Sequence, residues 1–287
     1  MNALDVINIG SSKLKIKQIG SHKLDSEILL SKVLNKRREE ILINLDQMII
    51  PEKISAFNKL ITRRSNNEPI AYIIKEKEFW SKLFFVNKNT LIPRPETELM
   101  VEHIVKMFEE KPISILDIGT GSGCILISLI SELSYSRGIG IDISKKALSV
   151  AKKNAKNYKL DKQIRFLNKS FEDLRNCKFD LIVSNPPYIE TQAIENLDDD
   201  IKNFEPIMAL DGGNDGLDVI RKVIYKSQGI LKNNGTLALE IGNEQYIKVS
   251  KILKKNNFKI VKFCLIARFQ FLWRAFHLSL RFLLLCR

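Results

Sequence analysis

Hydrophobic positions follow two patterns along the chain, and the change between them divides it into regions. Before about residue 68, apolar residues recur at helical spacing, as at Leu24 and Ile28 and again at Phe57 and Ile61. This region lacks the succession of apolar strands, glycine turns and helices found later in the chain. We therefore predict a small helical domain over residues 1–68.

The next segment is rich in aromatic and β-branched residues. Residues 70–86 include Tyr72, Phe79 and Phe84, a composition typical of a β-hairpin. We predict a hairpin linker over residues 69–92. The proline-rich sequence that follows interrupts regular structure and precedes a predicted helix that runs to about residue 110.

From residue 113 onward, short apolar runs alternate with helical stretches. The predicted strands lie near Ser114–Leu116, Ile139–Ile141, Ile164–Leu167, Leu181–Val183 and Thr236–Ile241. This alternation predicts a parallel sheet with helices on both faces, which is an α/β, Rossmann-like domain, over residues 93–262. Ligands of such sheets bind at the carboxyl ends of the strands.

A glycine-rich turn follows the first predicted strand of this domain. Gly119, Gly121 and Gly123 alternate with Thr120 and Ser122, and an apolar helical run comes next. Glycine lets the backbone approach a ligand closely, and the start of a helix presents free N–H groups to the same place. The turn predicts a ligand-binding loop.

Two carboxylates indicate which ligand this loop binds. Asp142 ends the second predicted strand, where it can accept hydrogen bonds from ribose hydroxyls. Asp117 stands just before the turn, where a carboxylate would repel a diphosphate and suit a cationic amino-acid group. The glycine spacing also differs from the G-x-G-x-x-G of dinucleotide folds. These features favour S-adenosylmethionine as the ligand of the loop, and NAD stays open as the alternative. Phe171 is equally a candidate for packing on adenine and an ordinary core residue.

A second motif, Asn185-Pro186-Pro187-Tyr188, follows the predicted strand that ends at Val183. The prolines fix the backbone and keep its carbonyls out of a ladder. The Asn185 oxygen and the Pro186 carbonyl can therefore accept the two hydrogens of one –NH2 group, while Tyr188 offers a flat face. The motif predicts a clamp for an amide or an exocyclic amine; a simple turn is the alternative.

Composition changes this picture little. The net charge is +13, but ten basic residues and no acidic one follow Glu244, so residues 1–244 carry only +3. A net charge this small is not typical of a nucleic-acid-binding protein. Residues 1–20 lack a secretory signal, and the four cysteines show neither disulfide nor metal spacing. We expect a cytoplasmic protein without a metal.

Residues 25–258 resemble the HemK-type protein-(glutamine-N5) methyltransferases of peptide chain release factors. The resemblance rests on Asp25–Leu30, Glu68–Tyr72, Glu78–Trp80, Ile92–Glu98, Asp117–Gly123, Asn185–Tyr188 and Phe204–Pro206. It implies a class I S-adenosylmethionine-dependent methyltransferase domain, preceded by a helical substrate-docking domain. The acceptor it implies is the glutamine of the Gly-Gly-Gln motif of release factors, with the ribosome nearby and no specific nucleic acid.

The motifs and the resemblance together nominate three sets of residues. The predicted catalytic residues are Asn185, Pro186 and Tyr188. The predicted cofactor-binding residues are Asp117, Gly119, Thr120, Gly121, Ser122, Gly123, Asp142, Phe171 and Asn185. The predicted substrate-binding residues are Asn185, Pro186, Pro187, Tyr188, Arg94, Glu96 and Glu98. A favourable charge in the first turn of a helix is the alternative role for Glu96 and Glu98.

Two other functions stay open. The Asn-Pro-Pro-Tyr clamp also occurs in adenine-N6 methyltransferases that act on DNA or RNA. Against that function, no sizeable target-recognition domain follows the catalytic half. The third hypothesis is a catalytically decayed paralogue that binds the cofactor without transferring methyl groups.

The resemblance stops at an apolar and basic tail, residues 263–287. One interpretation is an amphipathic helix at a membrane surface, with Gln270, Arg274, His277 and Arg281 on one face. Arginines interrupt it too often for a spanning helix. The favoured interpretation is a shifted reading frame that removed the last strand of the family and left an unprotected sheet edge.

Overall fold

A computed structural model describes residues 1–109, 111–265 and 280–286. The chain forms two compact units. The first comprises residues Met1–Glu76 and Asp199–Phe204, and the second comprises the other described residues from Lys77 onward.

The first unit is helical, as the apolar spacing predicts. Its helices are α1 (Ala3–Ile16), α2 (His22–Leu34), α3 (Arg38–Ile43), α4 (Pro51–Ser65) and α5 (Ile70–Ile74). The predicted helices correspond to α2 and α4, and Pro51 occupies the first position of α4. Helix α1 was missed, although Asn2 and Asp5 form a capping box at its start.

A buried polar cluster on α2 joins the helices of this unit. Asp25 is 3% exposed and accepts the Arg64 guanidinium of α4 at 2.7 Å. The Ser26 hydroxyl donates to the carbonyl of Ile7 in α1 at 2.8 Å. Glu27, also buried, accepts Arg38 of α3 at 2.6 Å. The segment Asp25-Ser26-Glu27 thus fixes α1, α3 and α4 around α2.

The predicted hairpin is present but shorter than expected. Strands β1 (Glu76–Phe79) and β2 (Lys82–Phe85) form a two-stranded sheet. The expectation that the hairpin begins at Ile70 is wrong, because Ile70–Ile74 is the short helix α5. Pro69 precedes that helix, and Lys75 ends it with a left-handed backbone, φ 62°.

The second unit is built on a seven-stranded sheet. Its further strands are β3 (Ser114–Ile118), β4 (Arg137–Asp142), β5 (Ile164–Asn168), β6 (Phe179–Ser184), β7 (Leu231–Gly242), β8 (Lys259–Leu265) and β9 (Leu280–Cys286). The strand order is β5-β4-β3-β6-β7-β9-β8, and the first five of these are parallel. All five predicted strands are confirmed.

Helices cover both faces of this sheet. The helices of this unit are α6 (Glu98–Phe108), α7 (Cys124–Glu132), α8 (Lys145–Asn157), α10 (Asp218–Ile230) and α11 (Tyr246–Lys255). The short helix α9 (Asp199–Lys202) belongs to the first unit. Ile115 and Leu181 of the sheet pack in one core with residues of α6 and α7. Leu116 and Ile182, their neighbours in sequence, pack in a second core with residues of α10 and α11. The fold is the α/β arrangement that the sequence predicts.

The C-terminal tail departs from the prediction. Strand β9 lies between β7 and β8 and is antiparallel to both, so β7 is paired along both edges. The expected loss of the last strand and the unprotected edge are therefore wrong. An apolar run such as Leu283-Leu284-Leu285 suits a strand inside a sheet as well as a helix, and Leu283 is fully buried.

Part of the predicted amphipathic helix lies outside the described residues. Gln270, Arg274 and His277 are among these, whereas Arg281 belongs to β9. Over the described residues, we find no helix with the length and apolar character needed to cross a bilayer. The same residues contain no group of His, Cys, Asp and Glu side chains arranged to hold a metal ion.

Candidate active site

A cavity of about 340 Å³ lies at the carboxyl ends of the parallel strands in the second unit. Its wall is formed by residues that follow β3, β4, β5 and β6, together with parts of segments 89–97 and 206–209. Parallel α/β sheets bind their ligands at this position. The cavity is therefore the candidate ligand site.

The glycine turn after β3 contributes backbone to the cavity wall. Gly119 and Gly121 line the cavity and have positive φ values of 73° and 54°. A Cβ at Gly119 would meet no atom within 4 Å, so glycine is favoured there by the backbone conformation and not by crowding. The turn thus presents bare backbone to a bound molecule.

Asp142 joins this turn to the neighbouring strand β4. It lines the cavity, and its two carboxylate oxygens accept the N–H groups of Gly121 at 3.0 Å and Ser144 at 2.8 Å. Burial raises the pKa of Asp142, and these two N–H groups oppose that rise. A carboxylate has about four acceptor positions, so two bonds leave it able to accept from a ligand.

Asp117 supports the turn from behind. It is 1% exposed, does not line the cavity, and accepts the Thr120 hydroxyl at 2.6 Å. Burial raises the pKa of Asp117 to about 7, with the Thr120 hydroxyl opposing the rise. In this structure Asp117 therefore acts on the loop, which in turn faces the cavity.

The Asn-Pro-Pro clamp forms the opposite part of the wall. Asn185, Pro186 and Pro187 all line the cavity directly after β6. The Ser184 hydroxyl donates to the Ile118 carbonyl at 2.9 Å, which ties the start of the clamp to the end of β3. Within the described part of the chain, no protein group forms a hydrogen bond with the Asn185 carboxamide. That carboxamide is available to a ligand.

Tyr188 ends the clamp and does not line the cavity. Its hydroxyl donates to Glu240 Oε1 at 3.5 Å, and its carbonyl accepts the Gln245 carboxamide at 2.9 Å. Burial raises the pKa of Tyr188 well above its ordinary value, and the nearby Glu240 carboxylate adds to the rise.

An ion pair closes another part of the wall. Arg94 lines the cavity and donates to Glu205 Oε1 at 2.5 Å, while Glu205 Oε2 accepts the N–H of Ile92 at 3.0 Å. The Glu205 carboxyl is 1% exposed. This residue therefore ties the segment around Arg94 to the segment beginning at Pro206, which also lines the cavity.

The structure brings most of the predicted site residues to this single cavity. Those that line it are Arg94, Gly119, Thr120, Gly121, Ser122, Asp142, Phe171, Asn185, Pro186 and Pro187. Those that do not are Glu96, Glu98, Asp117, Gly123 and Tyr188. The carboxylate of Glu98 accepts the N–H of Trp80 at 3.0 Å, so it holds the β-hairpin.

Several residues at the site were not predicted from the sequence. Met208 and Lys222 line the cavity, and Glu205 and Glu240 are buried against its wall residues Arg94 and Thr97. Glu205 lies in Phe204–Pro206, one of the segments that carry the family resemblance, and this resemblance could have indicated a place at the site. Glu240 lies within an apolar strand, where an isolated acid was itself a signal.

Two family models match the chain. One, described as PrmC N-terminal domain, matches residues 5–74, and the other, described as Methyltransferase domain, matches residues 109–264. A release factor glutamine methyltransferase of Caulobacter vibrioides is 38% identical over 244 residues, which cover 84% of each chain.

This chain belongs to the release factor glutamine methyltransferase family. A "Bifunctional methyltransferase" of Rickettsia felis is also similar, with 40% identity over 284 residues and 89% of this chain covered. The chain spans about half of that longer relative, 54% of its length.

A solved structure agrees with the methyltransferase fold of the family. The ribosomal protein L11 methylase of Lactobacillus delbrueckii subsp. bulgaricus superimposes with a TM-score of 0.51 at 20% identity. The match covers 70% of this chain and 83% of that one. At this identity, the likeness concerns the fold alone.

S-adenosylmethionine is the cofactor of this methyltransferase domain, and the cavity fits it. The exposed backbone of Gly119 and Gly121 suits close approach by an amino-acid group. Asp142 offers acceptors suited to ribose hydroxyls, and Phe171 on the same wall offers a ring face suited to adenine.

Proposed function

We propose that this protein transfers a methyl group from S-adenosylmethionine to a glutamine side-chain amide nitrogen, in the Gly-Gly-Gln motif of peptide chain release factors. The observation that carries the proposal is one cavity lined by both the glycine turn with Asp142 and the Asn185-Pro186-Pro187 clamp. A donor and an amide acceptor can meet there. Membership in the family of release factor glutamine methyltransferases supports the choice of acceptor.

The cofactor side is formed by the loop after β3 and the ends of the next two strands. Gly119 and Gly121 would hold the amino-acid end, Asp142 the ribose, and Phe171 the adenine. When bound, the cofactor supplies an electrophilic methyl group on a sulfonium. Asp117 keeps the loop in place through Thr120, although it does not line the cavity.

The acceptor side works by alignment. A carboxamide nitrogen is a poor nucleophile because its lone pair is delocalised into the carbonyl. The Asn185 oxygen and the Pro186 carbonyl would accept its two N–H groups and aim the nitrogen at the methyl group. Orientation of two reactants can lower a barrier by roughly 7–11 kcal/mol.

The same two oxygens also assist electrostatically. The amide nitrogen becomes positive as the methyl group arrives, and fixed dipoles directed at it stabilise that charge. The proton leaves after methylation, and water can accept it. We place this reaction in the cytoplasm and close to the ribosome, since release factors act in translation.

The test is transfer of labelled methyl groups to a purified release factor, with DNA and ribosomes as parallel acceptors. We expect label on the release factor and none on a release factor whose Gly-Gly-Gln glutamine is replaced by alanine. Label on DNA would favour an adenine-N6 methyltransferase. Cofactor binding without transfer to any acceptor would identify a decayed paralogue.

A further inference from the structure

A buried carboxylate that none of the three predicted site sets includes lies next to the clamp. Glu240 stands in β7, where it pairs with Phe282 of the antiparallel strand β9, and is 2% exposed. The preceding residue, Leu239, pairs with Ser184, which directly precedes the clamp residue Asn185. Glu240 is thus held by a central strand at the level where the clamp begins.

Two hydroxyl groups from distant parts of the chain converge on this carboxylate. Thr97 donates to Oε2 at 2.6 Å, and Tyr188 donates to Oε1 at 3.5 Å. Thr97 itself lines the cavity, and Tyr188 directly follows Pro187, which also lines it. Each oxygen of one carboxylate therefore binds a different segment, one through Thr97 of the cavity wall and the other through Tyr188 at the end of the clamp.

A side chain with two hydrogen-bonding atoms is required for this double contact. An ionised carboxyl accepts at both oxygens, whereas an apolar side chain accepts at neither. A buried acid in a β-strand is unfavourable for stability, and burial raises the pKa of Glu240 to about 7. Among the described residues, the Glu240 carboxyl interacts electrostatically with Arg94, Glu96, Tyr188 and Cys124. An acid kept in such a place points to a role in function.

We propose that Glu240 is a positioning residue for methyl transfer, holding Thr97 and Tyr188 so that the acceptor amide is aligned in the clamp. The inference rests on the proposed function and deepens it. It requires no contact between Glu240 and the cofactor, which is consistent with its absence from the cavity wall. Loss of Glu240 is therefore expected to affect turnover more than cofactor binding.

The experiment compares two variants of the full chain, Glu240→Leu and Glu240→Gln, with methylation of release factor as the assay. Leucine removes both acceptors without leaving a buried charge. Glutamine keeps the shape, one acceptor oxygen for Thr97, and an N–H group that can donate to the Tyr188 oxygen. The exposed Glu244 provides the matched control, Glu244→Gln.

We expect Glu240→Leu to lower kcat about 10–100-fold, because a displacement of the clamp by about 1 Å has that effect on aligned reactants. Its Kd for S-adenosylmethionine should stay within about twofold of the wild-type value. Glu240→Gln should recover at least a third of the wild-type kcat, and Glu244→Gln should match the wild type. In a Tyr188→Phe background, Glu240→Leu should lower kcat less than it does alone, because the two residues act together.

Two results would overturn the inference alone. One is a wild-type level of turnover by Glu240→Leu in an assay where the wild-type chain is active. The other is a parallel loss of cofactor binding or of folded protein in both variants, which indicates a purely structural role. Absence of methyl transfer by the wild-type chain itself would instead overturn the proposed function, and this inference with it.

Discussion

At the scale of single residues, the candidate site separates groups that face the ligand from groups that hold them. Asn185 and Asp142 line the cavity directly, whereas Asp117 and Glu240 lie behind its wall and act through hydroxyl groups. Replacing a member of the first pair should change one binding or chemical step. Replacing a member of the second should change stability and alignment.

Asn185→Ala tests the acceptor side. We expect methyl transfer to fall at least 100-fold, because the substitution removes the side-chain acceptor for the amide N–H. Affinity for S-adenosylmethionine should stay near the wild-type value. Transfer rates and cofactor titrations measure the two effects, with the exposed Gln192→Ala as a matched control. Transfer within tenfold of wild type would contradict the role of Asn185.

Asp142→Ala tests the cofactor side. The carboxylate is expected to bind ribose hydroxyls, and charged hydrogen bonds contribute about 1.5–3 kcal/mol each. We expect affinity for S-adenosylmethionine to fall about 10–100-fold in a calorimetric titration. Asp173→Ala, on an exposed residue, should have no effect. Equal affinities for Asp142→Ala and wild type would rule out this role.

Glu240→Gln tests the pH dependence of stability. Burial raises the pKa of Glu240 from 4.5 to about 7. A group with a raised pKa stabilises the fold fully below pH 4.5, and this contribution is lost as the pH rises through about 7. Relative to wild type, the variant should therefore gain up to about 3 kcal/mol of unfolding free energy at pH 8 and little near pH 4.5.

Denaturant unfolding at both pH values measures this difference. The exposed Glu244→Gln serves as the control and should show no such gain. If Glu240→Gln and wild type are equally stable at pH 8, Glu240 is not held in a site that disfavours its charge.

At the scale of elements, close approach of helices decides how the first unit packs. Gly10 of α1 faces α2 and α4, and a Cβ there would come within 2.5 Å of the Phe57 ring and 2.6 Å of the Ser26 hydroxyl. Both are side-chain atoms of the neighbouring helices, and no larger residue fits at position 10 without displacing one of them.

Gly10→Ala is therefore expected to destabilise the protein by about 1–3 kcal/mol through overpacking. Gly229→Ala is the matched control in helix α10, since its Cβ would meet no atom within 4 Å. That change should stabilise by about 0.5–1 kcal/mol, because alanine has the higher helix propensity. Thermal unfolding separates the two. A neutral or stabilising Gly10→Ala would contradict the packing of α1.

At the scale of the whole molecule, the C-terminal strand determines whether the sheet is complete. Strand β9 pairs with β7 along seven residues, from Thr236↔Cys286 to Gly242↔Leu280. It thereby covers the edge of the strand that carries Glu240. The tail should accordingly be required for a stable protein.

Leu283→Ala tests this arrangement. Leu283 is fully buried, and removing a buried leucine side chain costs about 2–5 kcal/mol. Val261→Ala in β8, where the side chain is 51% exposed, should cost less than about 1 kcal/mol. Chemical denaturation provides both values. Equal and small effects would show that the tail does not pack into the sheet.

Local patterns in the sequence were sufficient for much of the fold and for ten of the residues that line the cavity. The run from Ile115 to Gly123 predicts a strand, a turn and a helix because each depends on neighbouring residues. Asn185 and Asp142 could likewise be placed at the same edge of the sheet, since parallel strands end together. Two elements differ from the prediction although local signals were present. The capping box of Asn2 and Asp5 marks the start of α1, and Pro69 precedes α5, which was expected to be a strand.

The sequence by itself determined the order of the elements, the glycine turn and the clamp. Short-range periodicity and backbone restriction specify these features. Only the tertiary structure decided which distant residues meet. It brings Glu205 to Arg94 and brings Thr97 and Tyr188 to Glu240. It also inserts β9 between β7 and β8. These choices depend on long-range strand pairing and on the burial of polar groups, which no local pattern of residues encodes.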